Sequence, residues 1–424
     1  MKNKSEPVFT NGLPKWRCTI AMKFINYAKA AAAAVLCISL AGAAPLAASA
    51  VTKAQLLPVI EQSLGRATPD KYLSKPAGDI TRADALRLAL ESMGWGFAVT
   101  AVDQAALLPE WPEVEGVSYI ASHMKPQAPA EMLKDLAAPL SDDDVKAMAT
   151  WLNYCKKSVG MRASFPWEGT ELLLIKRGVG TPGGPANGDM KNGVNEPLFA
   201  AILAVDMNKT PTQIATAVMI GAKKAALATI AAENYGVVGG INGGYFAGAK
   251  PIGVLRRQGY SDNVKFWPNR SAFAWTAEGE YKFIDGKVSG NISAIREYDK
   301  YTEVLQAGPL LMKDGAPAQN TENIQPNVLN FRHPRTFVGS DGKRIYWGVI
   351  DGRDNMHSVG LTIQELRSFM ASLAMKEALN LDGGGSSSLW WRGMTFTLPS
   401  NAKDMERPIP YAILMFEPGA GVRN

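Results

Sequence analysis

An α+β architecture follows from three features of the chain. Residues 51–160 carry helical apolar spacing, the texture switches near Phe165 to glycine and short β-branched or aromatic runs, and few helical stretches follow that switch. The expected layout is a mixed-sheet domain over residues 165–424, preceded by a small, mainly helical domain over 51–160. At about 255 residues the second region is long enough to build its own core. With 46% hydrophobic and 20% charged residues, the chain is not disordered, collagen-like or a polytopic membrane protein.

Within the helical region, residues 51–64 place Leu56, Leu57, Ile60 and Leu64 on one face. Thr81 is an N-cap for a helix over 82–93 that carries Ala85, Leu86, Leu88, Ala89 and Met93 and ends at Gly94 and Gly96. Ser141, followed by Asp142, Asp143 and Asp144, opens a third helix through Val145, Met148, Ala149 and Leu152. Prolines 109, 112, 126, 129 and 139 fill the connections. Beyond Phe165, strands are expected near 172–176, 199–205, 237–240, 272–275, 281–284, 344–350 and 412–416. Helices are expected over 212–232 and from the Thr362/Glu365 capping box through Met375, and a long surface loop over 180–193.

The formal net charge of +6 is concentrated at the N-terminus. The first fifty residues hold Lys2, Lys4, Lys15, Arg17, Lys23 and Lys29 against Glu6, which leaves 39 Lys+Arg and 38 Asp+Glu in the remainder. Global charge thus gives no case for a nucleic-acid partner. The stretch from Lys23 to Lys29, the small-apolar run over 30–46 and the Ala48-Ser49-Ala50 site make residues 1–50 a secretory signal peptide with a possible N-terminal extension, Met22 standing where a signal of ordinary length starts. Cleavage is expected after Ala50 and the mature protein is expected to be secreted or envelope-associated; an uncleaved anchor is the alternative. Cys18 and Cys37 leave with the signal, so Cys155 has no intrachain partner and is expected to be a buried small hydrophobe. After the signal no run reaches transmembrane length.

Four segments put glycine beside a polar or charged residue directly after an apolar strand: Asn242-Gly243-Gly244-Tyr245-Phe246; Gln306-Ala307-Gly308-Pro309; His333-Pro334-Arg335-Thr336 together with Asp351-Gly352-Arg353; and Asn380-Leu381-Asp382-Gly383-Gly384-Gly385-Ser386-Ser387-Ser388. In the last, a strand delivers Asp382, three glycines allow close backbone approach, and free N–H groups with three hydroxyls form an anion nest. It lacks the lysine of a P-loop and the spacing of a nucleophile elbow. A flexible glycine turn is the plain alternative. Arg335 is either a surface residue of a strand-entry turn or a fixed fork for phosphate. Asn242 is either an Asx-turn residue or an amide that orients a sugar, and Asp351 either a turn residue or a second carboxylate. His333 and His357 lie near these loops, but three histidines without an H-x-x-H pattern argue against a His-based metal site, and no cofactor is expected.

In this order, Asn242-Gly-Gly-Tyr-Phe246, the Gly308–Gly315 segment, Pro334-Arg-Thr336, Asp351-Gly-Arg353, the Asn380–Ser387 segment and Arg407-Pro-Ile-Pro410 resemble the phosphodiester glycosidase family over roughly residues 170–418. The resemblance implies hydrolysis of a sugar linked through its anomeric oxygen to a phosphodiester. The family's substrate does not carry over; with export expected, a phosphate-linked glycan of an envelope or extracellular polymer is the expected substrate. It implies Asp382, Asp351 and Arg335 as catalytic groups. It implies Asn242, Gly243, Gly244, Tyr245, Phe246, Gly308, Thr336, Arg353, Gly383, Gly384, Gly385, Ser386 and Ser387 as the substrate-binding set. A phosphate leaves as an anion, so such a site needs electrostatic grip on phosphate and a carboxylate for the oxocarbenium-like sugar more than a strong general acid. Arg335 and the 383–385 amides suit the first task, and Asp382, then Asp351, the second. Tyr245, Phe246, Trp390 and Trp391 are candidate sugar-stacking rings. The competing readings are a non-catalytic module that binds a wall glycan through the same loop and a scaffold for exopolysaccharide assembly. A second, shorter resemblance, of residues 79–95 to the I-T-R-A-[ED] opening of an S-layer homology repeat, implies tethering to a cell-wall polymer. Trp111–Val114 and Tyr119–Ala121 stand for its later part and Ser141 for a second copy, but a Phe-x-Pro element is lacking. A plain helical spacer is the alternative.

Overall fold

In the computed structural model the described residues are 51–76, 78–105, 115–157, 161–178, 196–206, 208, 213–219, 223–263, 267–276, 278–286, 296–319, 322, 324–401 and 405–420. The expected signal segment, the 180–193 loop and the Trp111–Val114 motif lie outside them.

The fold is α+β. Its largest sheet has nine antiparallel strands in the order Met124–Lys125, Met161–Trp167, Thr170–Arg177, Leu198–Val205, Ile345–Ile350, Arg335–Ser340, Glu377–Asn380, Leu310–Lys313 and Ala316–Pro317. The central strand Leu198–Val205 is buried along its whole length, because both faces are covered. Phe199, Ala201 and Leu203 enter the main core, while Ala200 and Ile202 enter a second core under the helix Ile363–Ser372, against Leu366, Phe369 and Met370. A five-stranded sheet (Met394–Thr395, Leu389–Trp391, Val237–Asn242, Tyr411–Phe416, Gln213–Val218) contributes Ile241, Trp391, Ile413 and Met415 to the main core. Its other side is covered by the helix Leu227–Glu233, through Leu227 and Ile230 against Ala412, Leu414 and Phe416. A third sheet, also of five strands, runs Tyr260–Asn263, Leu255–Arg257, Glu303–Gln306, Ala272–Trp275 and Tyr281–Ile284.

Capping chemistry sets the helix starts as expected. Thr81 accepts from the Asp84 N–H at 3.2 Å and Asp84 accepts back from the Thr81 N–H at 3.1 Å. Ser141 and Asp144 repeat the exchange at the head of Asp142–Lys157, and Thr362 and Glu365 do so ahead of Ile363–Ser372. Cys155 is buried, and burial pushes its thiol up to about 12, which suits an inert packing residue. Among the described residues no helix is long and apolar enough to cross a membrane.

Two expectations change. Residues 213–218 form a strand rather than the start of a helix over 212–232, and the helix is confined to Leu227–Glu233. The Ile214/Thr216 alternation pairs with Tyr411–Phe416, and that long-range pairing outweighs the local alanine content. In addition, after Gly94 at φ +84° the described residues form three further helices ahead of Ser141: Gly96–Ala105, Gly116–His123 and Ala130–Lys134.

Residues 50–424 form one compact unit. One hydrophobic cluster runs from Leu56, Leu86 and Trp95 through Phe165 and Phe199 to Ile413. Tyr119 stacks on Phe165 with centroids 4.8 Å apart, and Phe97 meets Phe199 edge-on at 4.7 Å. Met124 and Lys125 pair with Ala163 and Arg162. A fragment of residues 161–424 is therefore expected to be insoluble or to melt at least about 10 °C lower, since losing several kcal/mol of packing at roughly 2–4 °C per kcal/mol gives that shift. A thermal melt equal to that of the intact chain would show two separable cores.

Candidate active site

Three adjacent strands of the nine-stranded sheet deliver the candidate groups to one sheet end. Arg335 begins the middle strand and pairs with Ile350, which directly precedes Asp351. On the other side Phe337 pairs with Asn380, two residues before Asp382. The strand Val237–Asn242 of the first five-stranded sheet ends nearby, and the loop at Gly308 returns a main-chain bond from the Gly308 N–H to the Asn380 carbonyl at 2.9 Å.

Asp382 is partly exposed and heads the turn that follows it. Its carboxylate accepts from the Gly383 N–H at 3.0 Å and from the Ser386 hydroxyl. Burial raises its pKa to about 6, opposed by Ser386 and by the Arg407 guanidinium. The glycines here are required by close approach. A Cβ on Gly383 would lie 2.7 Å from the Pro334 carbonyl oxygen, one on Gly384 (φ +64°) 3.1 Å from Arg353 Nη2, and one on Gly385 2.9 Å from Arg407 Nη2. Arg353 and Arg407 thus both lie against the turn. Burial lowers the pKa of Arg353, and the neighbouring Arg407 lowers it further. Among the described residues neither has a carboxylate in salt-bridge range, and Arg407 Nη1 donates to Ser386 Oγ at 3.3 Å. Ser386 and Ser387 are buried, the Ser387 hydroxyl having no hydrogen-bond partner. Two guanidiniums beside one carboxylate leave one surplus positive charge, the complement of a phosphodiester monoanion.

Arg335 does not present a fork. It is 2% exposed, Nε donates to the Leu361 carbonyl at 2.8 Å, and Nη2 spends both hydrogens on the carbonyls of Val328 at 2.7 Å and Phe331 at 2.9 Å. It holds the chain on either side of His333 and Pro334 in place. Asp351 is likewise committed. It is 2% exposed, Oδ2 lies 2.7 Å from His357 Nε2 and accepts from the Leu398 N–H at 2.9 Å, and its main-chain oxygen accepts from Ser358 Oγ at 2.6 Å. Burial raises its pKa, with His357 opposing the rise. The His333 pKa is lowered by burial and by Arg335 and Arg353, which favours a neutral ring beside the two arginines.

Asn242 is 1% exposed and makes neither an Asx turn nor a contact open to a sugar. Its Oδ1 accepts from Thr336 Oγ1 at 2.8 Å and from the Ser388 N–H at 3.1 Å, while Nδ2 donates to the carbonyls of Gly243 at 3.0 Å and Asp382 at 2.9 Å. Gly243 packs under Tyr411, 2.3 Å from where its Cβ would be, and Gly244 lies between Tyr411 and Leu305. Tyr245 donates to the Gly308 carbonyl at 2.7 Å and accepts from Asn380 Nδ2 at 3.1 Å. Burial, then the Asp382 charge, pushes its phenol up to about 12, so it is a neutral donor. Its ring meets Trp267 edge-on at 5.8 Å and carries Arg270 at 5.6 Å. Phe246 is half-buried beside the two cores. Trp390 and Trp391 belong to the hydrophobic cores, on opposite sides of the strand Leu389–Trp391, and supply no sugar platform. Arg407 is the residue whose role the sequence reading left unassigned, and its flanking Pro408 repeats the signal that drew attention to Arg335.

Residues 235–416 match the phosphodiester glycosidase family model, a span that contains every residue of this site. The match covers less than half of the chain and lends no support to the S-layer homology resemblance of residues 51–160. No curated protein matches the sequence. Among solved structures, a hypothetical protein from Synechocystis is 16% identical with a TM-score of 0.50, covering 60% of this chain and 64% of that one. The chain thus spans less than two thirds of that protein, and the likeness is one of fold. The zebrafish N-acetylglucosamine-1-phosphodiester alpha-N-acetylglucosaminidase catalytic domain, auto-inhibited by its pro-peptide, is 17% identical with a TM-score of 0.46, over 57% of this chain and 87% of that one.

Replacing Arg335 by Lys is expected to lower stability by roughly 2–3 kcal/mol, because a compact ammonium cannot span the three carbonyls. Chemical denaturation checks this. A KM rise at unchanged stability would instead return Arg335 to the phosphate.

Proposed function

We propose that the chain is an exported hydrolase that cleaves a sugar-1-phosphodiester between the anomeric carbon and the phosphate oxygen. The observation that carries this reading is the pairing of a carboxylate of raised pKa, Asp382, with Arg353 and Arg407 on the glycine turn that follows it. The two guanidiniums, the 383–385 amides and the Ser386 and Ser387 hydroxyls form the phosphate cradle. As the C–O bond breaks, the electron pair leaves with the phosphate oxygen, and the arginines neutralise the charge that builds there. The ionised Asp382 faces the developing positive charge on the sugar, and water supplies the hydroxyl that ends on the anomeric carbon, its other proton passing to the departing phosphomonoester or to solvent. Neutral Tyr245, close enough for its phenol to feel the Asp382 charge, donates its own proton to Gly308 and shapes the sugar end. Asp351 and Arg335 hold this arrangement from behind.

Incubating the full-length chain with a panel of sugar-1-phosphodiesters should release free sugar and a phosphomonoester in equal amounts. Tight phosphodiester binding without release would identify a glycan-binding module instead. Arg353→Ala and Arg407→Ala should each raise KM about tenfold or more, as loss of a charge-assisted hydrogen bond of ~1.5–3 kcal/mol implies.

The Asp382 carboxyl gives a pH signature. Its folded-state pKa of about 6 lies above the ordinary carboxylate value, so the ionised, working form accumulates as pH rises. kcat/KM should climb through pH 6 and fall tenfold per unit below it. The same shift makes ionisation costly to the fold: its stabilising contribution is present at low pH and lost as pH rises through 6. Asp382→Asn should therefore abolish turnover while melting above the parent at pH 8, with the difference fading below pH 4. A parent profile flat from pH 5 to 8, or near-normal kcat in the variant, would remove Asp382 from the reaction.

A further inference from the structure

The loop that carries Arg353 is gripped by the helical region, which lies outside the family match. His357 is the point of contact. Its Nε2 bonds Asp351 at 2.7 Å, and its Nδ1 faces the Gly94 carbonyl at 3.3 Å. Its ring is packed by Phe97 edge-on at 4.7 Å and by Phe199 at 4.8 Å. Its main-chain oxygen accepts from the fully buried Lys176 ammonium, which also lies against Gly94. On either side, Arg66 donates to the Met356 sulfur at 3.2 Å, and Tyr72 OH lies 3.4 Å from Asp354 Oδ2. Asp354 Oδ1 in turn caps the N–H groups of Met356 at 2.7 Å and His357 at 2.9 Å. Arg353 itself sits at φ +66°, a strained conformation for a non-glycine residue that its surroundings must impose.

We propose that the Gly94–Phe97 corner of the helical region, acting through His357, is a positioning element of the phosphate cradle. The physical chain is short. The corner fixes the His357 ring; the ring fixes Asp351; Asp351 accepts from the Leu398 N–H and so ties residues 351–358 to residues 398–400. Along that segment Ser400 Oγ donates to the Gly384 carbonyl at 3.2 Å. The loop that carries Arg353 and the glycine turn itself are thus held from one place, and the strain at Arg353 is sustained there. His357 and Phe97 touch no substrate and are positioning residues. The proposal assigns residues 66–97 to the working of the catalytic site, in place of an independent wall tether, and it rests on the reading of that turn as a phosphate site.

The test uses the full chain with Phe97→Ala, its conservative counterpart Phe97→Leu, and Arg87→Ala as a control. The control breaks the Arg87–Asp103 bridge of 2.7 Å in the same helical region, away from the loop. Two quantities are measured: hydrogen exchange of residues 351–358 and the Kd for inorganic phosphate. The expected result is exchange at least tenfold faster and a phosphate Kd at least tenfold weaker in Phe97→Ala. Phe97→Leu should recover most of both, and Arg87→Ala should match the parent. If Phe97→Ala does not fold, Phe97→Leu and His357→Gln are compared with the parent in the same two measurements, with small graded losses expected. Unchanged loop exchange and unchanged Kd in folded variants would overturn the proposal, as would equal losses in Arg87→Ala. If the parent binds no phosphate, the functional reading fails by itself, and loop exchange alone then decides whether the corner holds the loop.

Discussion

The site depends on one buried amide. Asn242 sits at the end of a strand in the second sheet, yet its four hydrogen bonds reach Thr336 in the Arg335–Ser340 strand of the first sheet, the carbonyl of Asp382, the amide of Ser388 and its own neighbour Gly243. A side-chain amide has two donors and two acceptor sites, and here all of them are used. The two sheets are thereby cross-linked at the place where Asp382 emerges, beside the bonds from the Asp382 N–H to the Gly243 carbonyl at 3.4 Å and from Asn380 Nδ2 to the Tyr245 hydroxyl at 3.1 Å. A hydrophobic interface tolerates small sliding; a fully satisfied polar cross-link in a low-dielectric interior does not. This accounts for a glycine turn that is held tightly enough to approach Pro334, Arg353 and Arg407 at the limits of contact.

Around that lock, charge is divided between two layers. The inner layer comprises Arg335 and Asp351, both nearly inaccessible and both spent on internal partners. The outer layer comprises Asp382, Arg353 and Arg407, which touch the turn and have bonding capacity left. Burying a charge is costly, and the inner groups offset that cost within the protein, Arg335 through three carbonyl acceptors and Asp351 through His357 and the Leu398 N–H. The outer arginines repel one another and are brought together only because the fold over-determines their positions. An anionic ligand relieves that repulsion, and this is the physical content of calling the turn a phosphate site.

Much of this was legible in the sequence where the signal is local. The glycine run after Asp382, the caps at Thr81, Ser141 and Thr362, and the order of the six motifs all depend on residues close together in the chain. What the sequence reading missed depends on partners far away. Arg335 reads as a phosphate fork from its Pro334 neighbour, but its hydrogens are claimed by carbonyls at 328, 331 and 361. Trp390 and Trp391 follow the glycine turn and invite a stacking role, yet the strand they form pairs with residues 239–241 and turns them into the cores on either side. Residues 213–218 carry enough alanine nearby to suggest a helix, and only pairing with a strand some two hundred residues later settles them as a strand.

The helical region shows the same lesson at the scale of a domain. Its caps and periodicity describe helices that would serve equally as a spacer, a tether or a packing partner, because amphipathic helices carry no mark of what their apolar face will meet. The face meets the sheets: Phe97 and Trp95 close on Phe199, which lies one strand from Asp351. Short polar contacts then converge on a single loop, Arg66 on Met356, Tyr72 on Asp354 and Gly94 on His357. A tether needs only a flexible junction and independence from the catalytic core. Contacts of this kind instead couple the loop that carries Arg353 to the packing of the helices.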